Sequence, residues 1–212
     1  MNITLVRHPQ TTANEMHIIY GKSDYHYTQR GNHQLLWLKD YIAMNYGFEI
    51  EDDSTDHNMR IISSPRDRAL ILAEAIGNEI DIEPIISEYI CEMDFGIFEG
   101  LTVEEAIVKY PVEYNDFQYN FGTTRIPKGE SYEDFITRMD NFMEHISYLK
   151  NEVKLDEIIV VTHGGVIREL LERLLEIEPG GSWKFLIGNG CLIKLALRDD
   201  GYHLKELIAN KF

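Results

Sequence analysis

The sequence predicts an α/β protein, a three-layer sandwich in which helices cover both faces of a mostly parallel central sheet. Short continuous apolar runs at residues 3–6, 60–64 and 158–161 lack the alternation of half-exposed strands. Such runs are typical of strands that are covered on both faces, as in parallel α/β sheets. Helical periodicity fills the stretches between them, which favours repeated strand–helix–strand units.

The clearest helix is expected over residues 131–154, where apolar side chains recur at spacings of three and four. Ser131 can cap its first turn, and Asp134 stands at a capping-box-like position. Residues 165–177 carry a second apolar stripe. Both stripes indicate amphipathic helices that place one face against a core.

The end of the chain predicts an antiparallel hairpin at one edge of the sheet. Two runs there are joined by Asp200 and Gly201, a pair typical of tight turns. No internal repeat or linker interrupts the chain, so we expect one domain over residues 1–212, with a cap-like insertion around residues 101–130. The aromatic-rich stretch 110–121 either belongs to that cover or packs its rings on the core as a helix.

The composition suits a globular protein and excludes some functions. The chain has 212 residues, 44% of them hydrophobic, which is enough for a sizeable core. Its net charge of −16 argues against general binding to nucleic acid or to an anionic membrane, because both need a basic surface. An anionic substrate must therefore meet a local cluster of positive groups.

The sequence also carries expectations about location and assembly. Cys91 and Cys191 form no CxxC pair and are expected to be reduced. The N-terminus has neither the basic region nor the long apolar region of a signal peptide, and no apolar run reaches the ~20 residues of a membrane span. We therefore expect a cytoplasmic protein. The sequence leaves open whether it forms a homo-oligomer.

Two histidines stand at matching junctions, each after an apolar strand and before a helix. His8 follows Arg7 in "LVRHPQTTAN", and His163 lies in "THGGVIREL". In an open α/β sheet, ligands bind beyond the carboxyl ends of parallel strands, where helix N-termini favour anions. Two histidines in this setting predict a shared anion site.

Charged residues at two further junctions could join this site. The stretch "SSPRDRA" places Arg66 and Arg68 early in a helix, and one of them could face the same anion. The stretch "CEMDFGIFEGLT" supplies the carboxylates Glu92, Asp94 and Glu99 around two turn-forming glycines. The residues alone leave the choice among these groups open.

In chain order, these junctions resemble the histidine phosphatase superfamily of phosphoglycerate-mutase-like enzymes. The motifs are R-H-x-x-T-x-x-N, S-x-x-x-R-A, E-x-x-x-G-x-x-E-G, G-E-S and T-H-G-G. The resemblance implies His8 as the nucleophile that accepts the phosphoryl group and Glu92 as the proton donor. It also implies a set that surrounds and holds the phosphate, consisting of Arg7, Asn14, Arg68, His163 and the backbone N–H of Gly164. Thr11, Gly21 and Ser131 match family positions that serve in secondary binding or support.

This residue set suits phosphoryl transfer without a metal. A phosphate monoester is a dianion, and neutral imidazole can attack it without charge repulsion to form a phosphohistidine. Arginines grip the oxygens over which the transferring group spreads its charge, and His163 could add to this if it is protonated. The histidine spacing shows no HxH or HExxH metal motif, so neither a metal nor another cofactor is expected.

One residue departs from the resemblance. The family usually has a small residue after the nucleophilic histidine, whereas this chain has Pro9. Proline lacks an N–H and cannot donate to phosphate, while its fixed φ suits a helix start. We expect Pro9 to begin the following helix and to leave the site intact.

The favoured function is hydrolysis of a small phosphorylated metabolite. Mutases of the family carry adjacent arginines between the Glu motif and the late histidine, whereas this chain has only Arg125 and Arg138 between residues 100 and 162. The stretches 127–131 and 163–168 look more like small bacterial phosphatases, including α-ribazole phosphatases. The alternatives are a phosphoglycerate mutase and a non-catalytic phosphate-binding protein. An aromatic cap would suit a nucleoside-like or otherwise apolar alcohol.

Overall fold

A six-stranded sheet forms the centre of the fold in the computed structural model, which describes residues 1–46, 58–120 and 122–209. The strands are β1 (Asn2–Arg7), β2 (Met59–Ser63), β3 (Ile85–Ile86), β4 (Glu157–Thr162), β5 (Leu192–Arg198) and β6 (Gly201–Ile208). Their order across the sheet is β3-β2-β4-β1-β5-β6. The first four strands run parallel, whereas β5 is antiparallel to both β1 and β6. The predicted mostly parallel sheet with an antiparallel C-terminal edge hairpin is confirmed.

The helices cover the sheet from both sides, as predicted. They are α1 (Thr12–Glu15), α2 (Gln29–Tyr46), α3 (Asp67–Ile80), α4 (Val103–Lys109), α5 (Pro111–Tyr119), α6 (Tyr132–Tyr148) and α7 (Gly164–Leu174). α2 and α3 contribute to the apolar core on one face of the sheet, and α6 and α7 contribute to the core on the other face.

Burial on both faces explains why the strand sequences are continuously apolar. In β4, Ile158 and Val160 belong to the core formed with α6 and α7, while Ile159 and Val161 belong to the core formed with α2 and α3. All four side chains are fully buried. Successive side chains alternate between the faces of a sheet, so a strand that is covered on both sides needs apolar residues at every position.

α6 starts where the sequence predicts and ends earlier. The Ser131 hydroxyl accepts the Asp134 N–H, and the Asp134 carboxylate accepts the Ser131 N–H, which completes a capping box. The helix ends at Tyr148 because Leu149–Val153 widen into a π-helical turn and Lys154 takes a left-handed φ of 61°.

The segment 101–130 carries α4 and α5. Tyr114 and Phe117 of α5 contact the Phe98 ring, with centroids 5.5 and 5.7 Å apart. No residue of α5 is fully buried, so this helix packs its rings on the core from outside. The cap-like insertion stays a prediction, and Phe121, the last aromatic residue of the predicted stretch, lies outside the described residues.

The cysteines Cys91 and Cys191 are buried free thiols. Burial raises the pKa of the Cys191 thiol to about 11, so it stays protonated near neutral pH. Across the ranges that the structure describes, no helix is both long and apolar enough to cross a lipid bilayer.

Candidate active site

The carboxyl ends of β1 and β4 bring the two histidines together. In the parallel register Arg7 lies opposite Thr162, so His8 and His163 are the next residues on neighbouring strands. The His8 N–H donates to the Thr162 carbonyl at 3.0 Å, which extends the pairing past the end of β1. Both imidazole rings are buried, and their centroids are 5.3 Å apart. The two strand ends thus meet at one point, as the sequence pattern predicts.

The backbone of Pro9 orients the His8 imidazole. His8 Nδ1 lies 2.7 Å from the Pro9 carbonyl oxygen. Because a carbonyl can only accept, Nδ1 carries the ring proton and Nε2 keeps its lone pair. Burial, followed by the charges of Arg7 and Arg68, holds the pKa of His8 well below its usual value. The ring is therefore neutral near pH 7.

The predicted helix start at Pro9 is wrong. α1 begins at Thr12, with Thr11 as its N-cap. The Thr11 hydroxyl accepts the Asn14 N–H and the Asn14 side chain accepts the Thr11 N–H, and this reciprocal pair places the helix start beyond Pro9. Pro9 lies in the connecting turn instead, where its carbonyl contacts His8.

Ser64, just past the end of β2, anchors His163. His163 Nε2 lies 2.8 Å from the Ser64 hydroxyl, which also accepts the Arg66 N–H. Burial and then neighbouring charges, of which Arg68 has the largest effect, hold the pKa of His163 well below its usual value. The ring is therefore neutral near pH 7 and offers one N–H rather than the two of a protonated histidine.

Arg68, near the start of α3, is a buried cation held largely by backbone oxygens. Its guanidinium donates to the carbonyls of Gly21 and Ser23 and pairs with the Asp24 carboxylate, at distances of 2.6–2.8 Å. Its Cζ lies 4.6 Å from the Tyr20 ring centroid. Only 1% of Arg68 is exposed. Gly21, a predicted secondary position, thus contacts the arginine through its carbonyl oxygen.

Four buried nitrogen atoms beside the histidines have no hydrogen-bond partner among the described residues. They are Nε of Arg7, Arg66 and Arg68, and Nδ1 of His163. All three arginines lower the pKa of His163 through their charges, which places them around this ring. A buried donor without an acceptor is unfavourable, so the cluster is suited to an anion. Arg66, which the resemblance does not select, belongs to this cluster together with Arg68.

Asn14 is held by Thr11 of the same motif and by two residues, Tyr20 and Asn189, that the sequence motifs do not include. Its Oδ1 accepts the Thr11 N–H at 3.1 Å, the Tyr20 hydroxyl at 2.9 Å and the Asn189 amide at 3.0 Å. Since these donors occupy the oxygen, the Nδ2 end remains for an acceptor such as phosphate. Thr11 is fully buried and orients Asn14.

Two glycines at the start of α7 let charged side chains approach closely. The Gly165 N–H donates to Glu92 Oε2 at 3.0 Å, and a Cβ at Gly165 would lie 2.4 Å from Glu92 Oε1. A Cβ at Gly164 would lie 3.1 Å from Arg7 Cζ. The Arg7 guanidinium is anchored by a 2.6 Å hydrogen bond to the Ile187 carbonyl. A larger residue at either glycine would displace Glu92 or Arg7 from the helix N-terminus.

The other two candidate carboxylates hold loops. Asp94 Oδ1 accepts the Gly96 N–H at 2.9 Å. Glu99 accepts the backbone N–H groups of residues 21–23. Of the three carboxylates, only Glu92 lines the cleft beside the histidines.

A largely apolar cleft of about 620 Å³ opens next to the histidine cluster. Arg7 of the nitrogen cluster lines it, together with Glu92, Gly164 and Gly165. Its other lining residues include Met93, Phe95, Phe117, Tyr132, Phe135, Arg168 and Trp183. The sequence motifs do not contain most of these residues, because single side chains from separate segments produce no local pattern. In the part of the chain that the structure describes, no group of three or more His, Cys, Asp or Glu residues is placed to hold a metal ion.

Known proteins resemble this chain over nearly its whole length. Residues 3–210 match the model of the histidine phosphatase superfamily (branch 1). The chain is 25% identical over 185 residues to phosphoserine phosphatase 1 of Hydrogenobacter thermophilus, with 87% of this chain and 81% of that protein covered. It is 26% identical over 195 residues to the adenosylcobalamin/alpha-ribazole phosphatase of Escherichia coli, with 90% and 87% covered. The solved structure of the alpha-ribazole phosphatase from Shigella flexneri matches with a TM-score of 0.79 at 24% identity, over 98% of this chain and 96% of that one.

These matches establish the class of protein. The chain belongs to the histidine phosphatase superfamily, branch 1. The predicted resemblance is therefore confirmed, and the two relatives are named phosphatases, as expected of a phosphoric monoester hydrolase. The Shigella structure shares the α/β fold.

Replacing Ser64 by alanine is expected to release His163 from a single ring tautomer. When the Ser64 hydroxyl donates to Nε2, the ring proton resides on Nδ1. Nitrogen NMR should report the Nδ1–H form in the wild-type protein and a mixture in Ser64→Ala. Inorganic phosphate should bind about tenfold more weakly to Ser64→Ala, since one donor loses its orientation. Ser64→Thr keeps the hydroxyl and serves as the control, and an unchanged tautomer in Ser64→Ala would contradict the prediction.

The two buried histidines are expected to make the free energy of unfolding decrease as the pH falls below about 6.5. The pKa values of His8 and His163 are lowered in the folded state, so below pH ~6.5 the unfolded chain binds protons that the folded chain does not. Each histidine can contribute a slope of up to about 1.4 kcal/mol per pH unit between its folded and unfolded pKa. Urea denaturation at several pH values measures this slope. The double variant His8→Asn/His163→Asn should show a shallower one, and equal slopes would show that the rings are protonated in the folded protein.

Proposed function

We propose that this protein is a metal-independent phosphatase that hydrolyses small phosphate monoesters through a phosphohistidine on His8. The observation that carries the proposal is a set of buried nitrogens of Arg7, Arg66, Arg68 and His163 that have no hydrogen-bond partner among the described residues and lie near the two adjacent imidazole rings. A phosphate dianion offers acceptors to these donors and balances the arginine charges. Membership of the superfamily supports the same chemistry.

The phosphate group binds at the junction of β1, β4 and α7. Arg7 and Arg68 present N–H groups to its oxygens, and α7 adds the Gly164 N–H and the positive end of its dipole. Asn14 Nδ2 adds a further donor. These preformed donors stabilise the charge that spreads over three phosphoryl oxygens during transfer.

His8 Nε2 is the proposed nucleophile. Its lone pair attacks phosphorus, so the N–P bond forms while the ester P–O bond breaks and its electron pair goes to the leaving oxygen. The lowered pKa of His8 keeps the attacking ring neutral at neutral pH. The Pro9 carbonyl accepts a hydrogen bond from the Nδ1–H group, and this bond stabilises the positive charge that the ring acquires.

Glu92 is the proposed acid and base. In its protonated form it gives a proton to the leaving oxygen, so the alcohol departs neutral. The resulting carboxylate then takes a proton from water while the water oxygen attacks the phosphohistidine. The N–P bond breaks, inorganic phosphate leaves, and His8 and Glu92 return to their starting states.

The two arginines in the middle of the chain support hydrolysis rather than a mutase reaction. Arg125 pairs with Asp134 at 2.6 Å, and Arg138 pairs with Glu130 at 2.7 Å. Both guanidinium groups are therefore already engaged with carboxylates of this chain. This arrangement disfavours their use in binding the carboxylate of a phosphoglycerate.

Replacing His8 by alanine should abolish both turnover and covalent labelling. The wild-type protein should hydrolyse p-nitrophenyl phosphate in the presence of EDTA and carry an acid-labile, base-stable phosphate on His8 after an alkaline quench. His8→Ala should lose the label and at least about a thousandfold in kcat, because the nucleophile is gone. His203→Ala, which removes an exposed histidine on β6, should retain full activity.

Three outcomes would contradict this scheme. Most of the activity surviving in His8→Ala would remove His8 as the nucleophile. Absence of hydrolysis of every ester by the folded wild-type protein would favour a non-catalytic phosphate-binding protein. Rapid formation of 2-phosphoglycerate from 3-phosphoglycerate with 2,3-bisphosphoglycerate would favour a mutase.

Replacing Glu92 by glutamine should slow alkyl phosphates far more than p-nitrophenyl phosphate. An alkoxide needs a proton to leave, whereas p-nitrophenolate is stable without one. We expect a loss of about 10²–10⁴-fold in kcat for alkyl esters and a much smaller loss for p-nitrophenyl phosphate. Glu99→Gln is the matched control, because a loop carboxylate should affect both substrates alike. The same loss on both substrates in Glu92→Gln would show that Glu92 acts in binding.

A further inference from the structure

An exposed tryptophan borders the cleft about one helical turn from the phosphate-binding end. Trp183 lies in the 3-10 turn Gly181–Lys184 and lines the cleft, yet 73% of it is exposed. Arg168, which contacts it, follows Gly164 by four residues on α7, or about 6 Å along the helix axis. Tryptophan is largely buried in most folded proteins, so an open indole at a cleft points to a ligand contact.

A chain of polar contacts, buried at Ser182 and Glu172, leads to the indole. Arg168 Cζ lies 4.1 Å from the Trp183 ring centroid, and Arg168 Nη1 donates to the Ser182 carbonyl at 2.7 Å. The Ser182 hydroxyl and N–H donate to Glu172 Oε1 at 2.6 and 3.1 Å. Ser182 is fully buried and Glu172 is only 9% exposed. We name this unit of Glu172, Ser182, Arg168 and Trp183 the tryptophan shelf, in which the Arg168 guanidinium supports one face of the ring.

The rest of the cleft lining is rich in aromatic rings. Phe95 and Phe117 meet edge to face with centroids 6.2 Å apart, and Phe135 and Tyr132 add further rings. The guanidinium of the shelf lies against one face of the indole, and the exposed remainder of the ring can accept a second flat group. Aromatic rings favour stacked and edge-to-face neighbours, so this lining selects a planar group over an aliphatic one.

The charges of the cleft disfavour a second anionic group on the ligand. The described lining residues include two cations, Arg7 and Arg168, and three carboxylates, Glu92, Glu169 and Glu172. Arg7 belongs to the phosphate-binding cluster and Arg168 is engaged in the shelf. A carboxylate on the leaving alcohol would therefore compete with the phosphate group for Arg7 and with the indole for Arg168, and it would lie near the carboxylates of Glu92 and Glu172.

We propose that the tryptophan shelf binds the leaving alcohol, so that the protein prefers phosphate monoesters of primary alcohols that carry a planar aromatic ring and no carboxylate. This inference rests on the proposed phosphatase activity. The single helical turn between Gly164 and Arg168 matches a short link between the ester oxygen and the ring.

Benzyl phosphate and cyclohexylmethyl phosphate provide the test, since they differ in ring planarity and have leaving alcohols of similar acidity. The wild-type protein should hydrolyse the benzyl ester with a kcat/KM about threefold to tenfold higher, the range expected for one aromatic contact. Trp183→Ala should bring this ratio to about one, and Trp183→Phe should restore part of it. Tyr148→Ala removes an exposed ring on α6 outside the cleft and should leave the ratio unchanged. Phosphoserine, which carries a carboxylate, should be a poorer substrate than the benzyl ester.

The outcomes separate the shelf from the phosphatase activity. Hydrolysis of both esters with equal kcat/KM, or a preference that survives in Trp183→Ala, would overturn the shelf and leave the phosphatase assignment in place. Absence of any hydrolysis would overturn the phosphatase assignment. The shelf is then tested by binding alone, through isothermal titration calorimetry of the wild-type protein and Trp183→Ala with benzylphosphonate and cyclohexylmethylphosphonate. Equal affinities, or affinities that Trp183→Ala does not change, would overturn it.

Discussion

The parallel register between β1 and β4 is the constraint on which the site depends. With Arg7 opposite Thr162, both strands end at the same level, and a strand spacing of about 4.8 Å brings His8 and His163 side by side. A slip of one residue would turn every side chain to the opposite face of the sheet. The buried apolar residues on both faces resist such a slip. Core packing and the geometry of the two histidines are therefore set by the same pairing.

Positive charge is concentrated at the carboxyl ends of β1 and β4. The chain carries a net charge of −16, yet three arginines lie around His163. Arg68 is tolerated in the interior because backbone carbonyls and the Asp24 carboxylate accept its N–H groups. Its Nε has no hydrogen-bond partner among the residues that the structure describes, which agrees with the proposed role of binding an anion. The same charges, added to burial, keep His8 neutral, so the cluster that we propose as the phosphate site also keeps the proposed nucleophile unprotonated.

α7 joins the two ends of the cleft. Its first residues, Gly164 and Gly165, meet Arg7 and Glu92, and its next turns carry Arg168 and Glu172, which contact the tryptophan-shelf residues of the turn Gly181–Lys184. Because a helix is rigid, α7 would set the distance between the proposed phosphate site and the proposed alcohol site. In this scheme the reaction chemistry depends on the strand ends, whereas substrate choice depends on the turn after α7 and on α5, elements that can vary without disturbing the sheet.

The sequence by itself determined the fold class and the positions of His8 and His163. Continuous apolar runs report burial on both faces, and a strand followed by a helix start is a local pattern that neighbouring residues reveal. Local preference was misleading at Pro9, where the capping pair of α1 outweighed the helix-start tendency of proline. Only the tertiary structure decided, through the Pro9 carbonyl, which ring nitrogen of His8 carries the proton, and only it brought Ser64 to His163, 99 residues away along the chain. It also placed Trp183 at the cleft. Hydrogen-bond direction and ring stacking depend on exact separations between distant segments, and no periodicity along the chain encodes those separations.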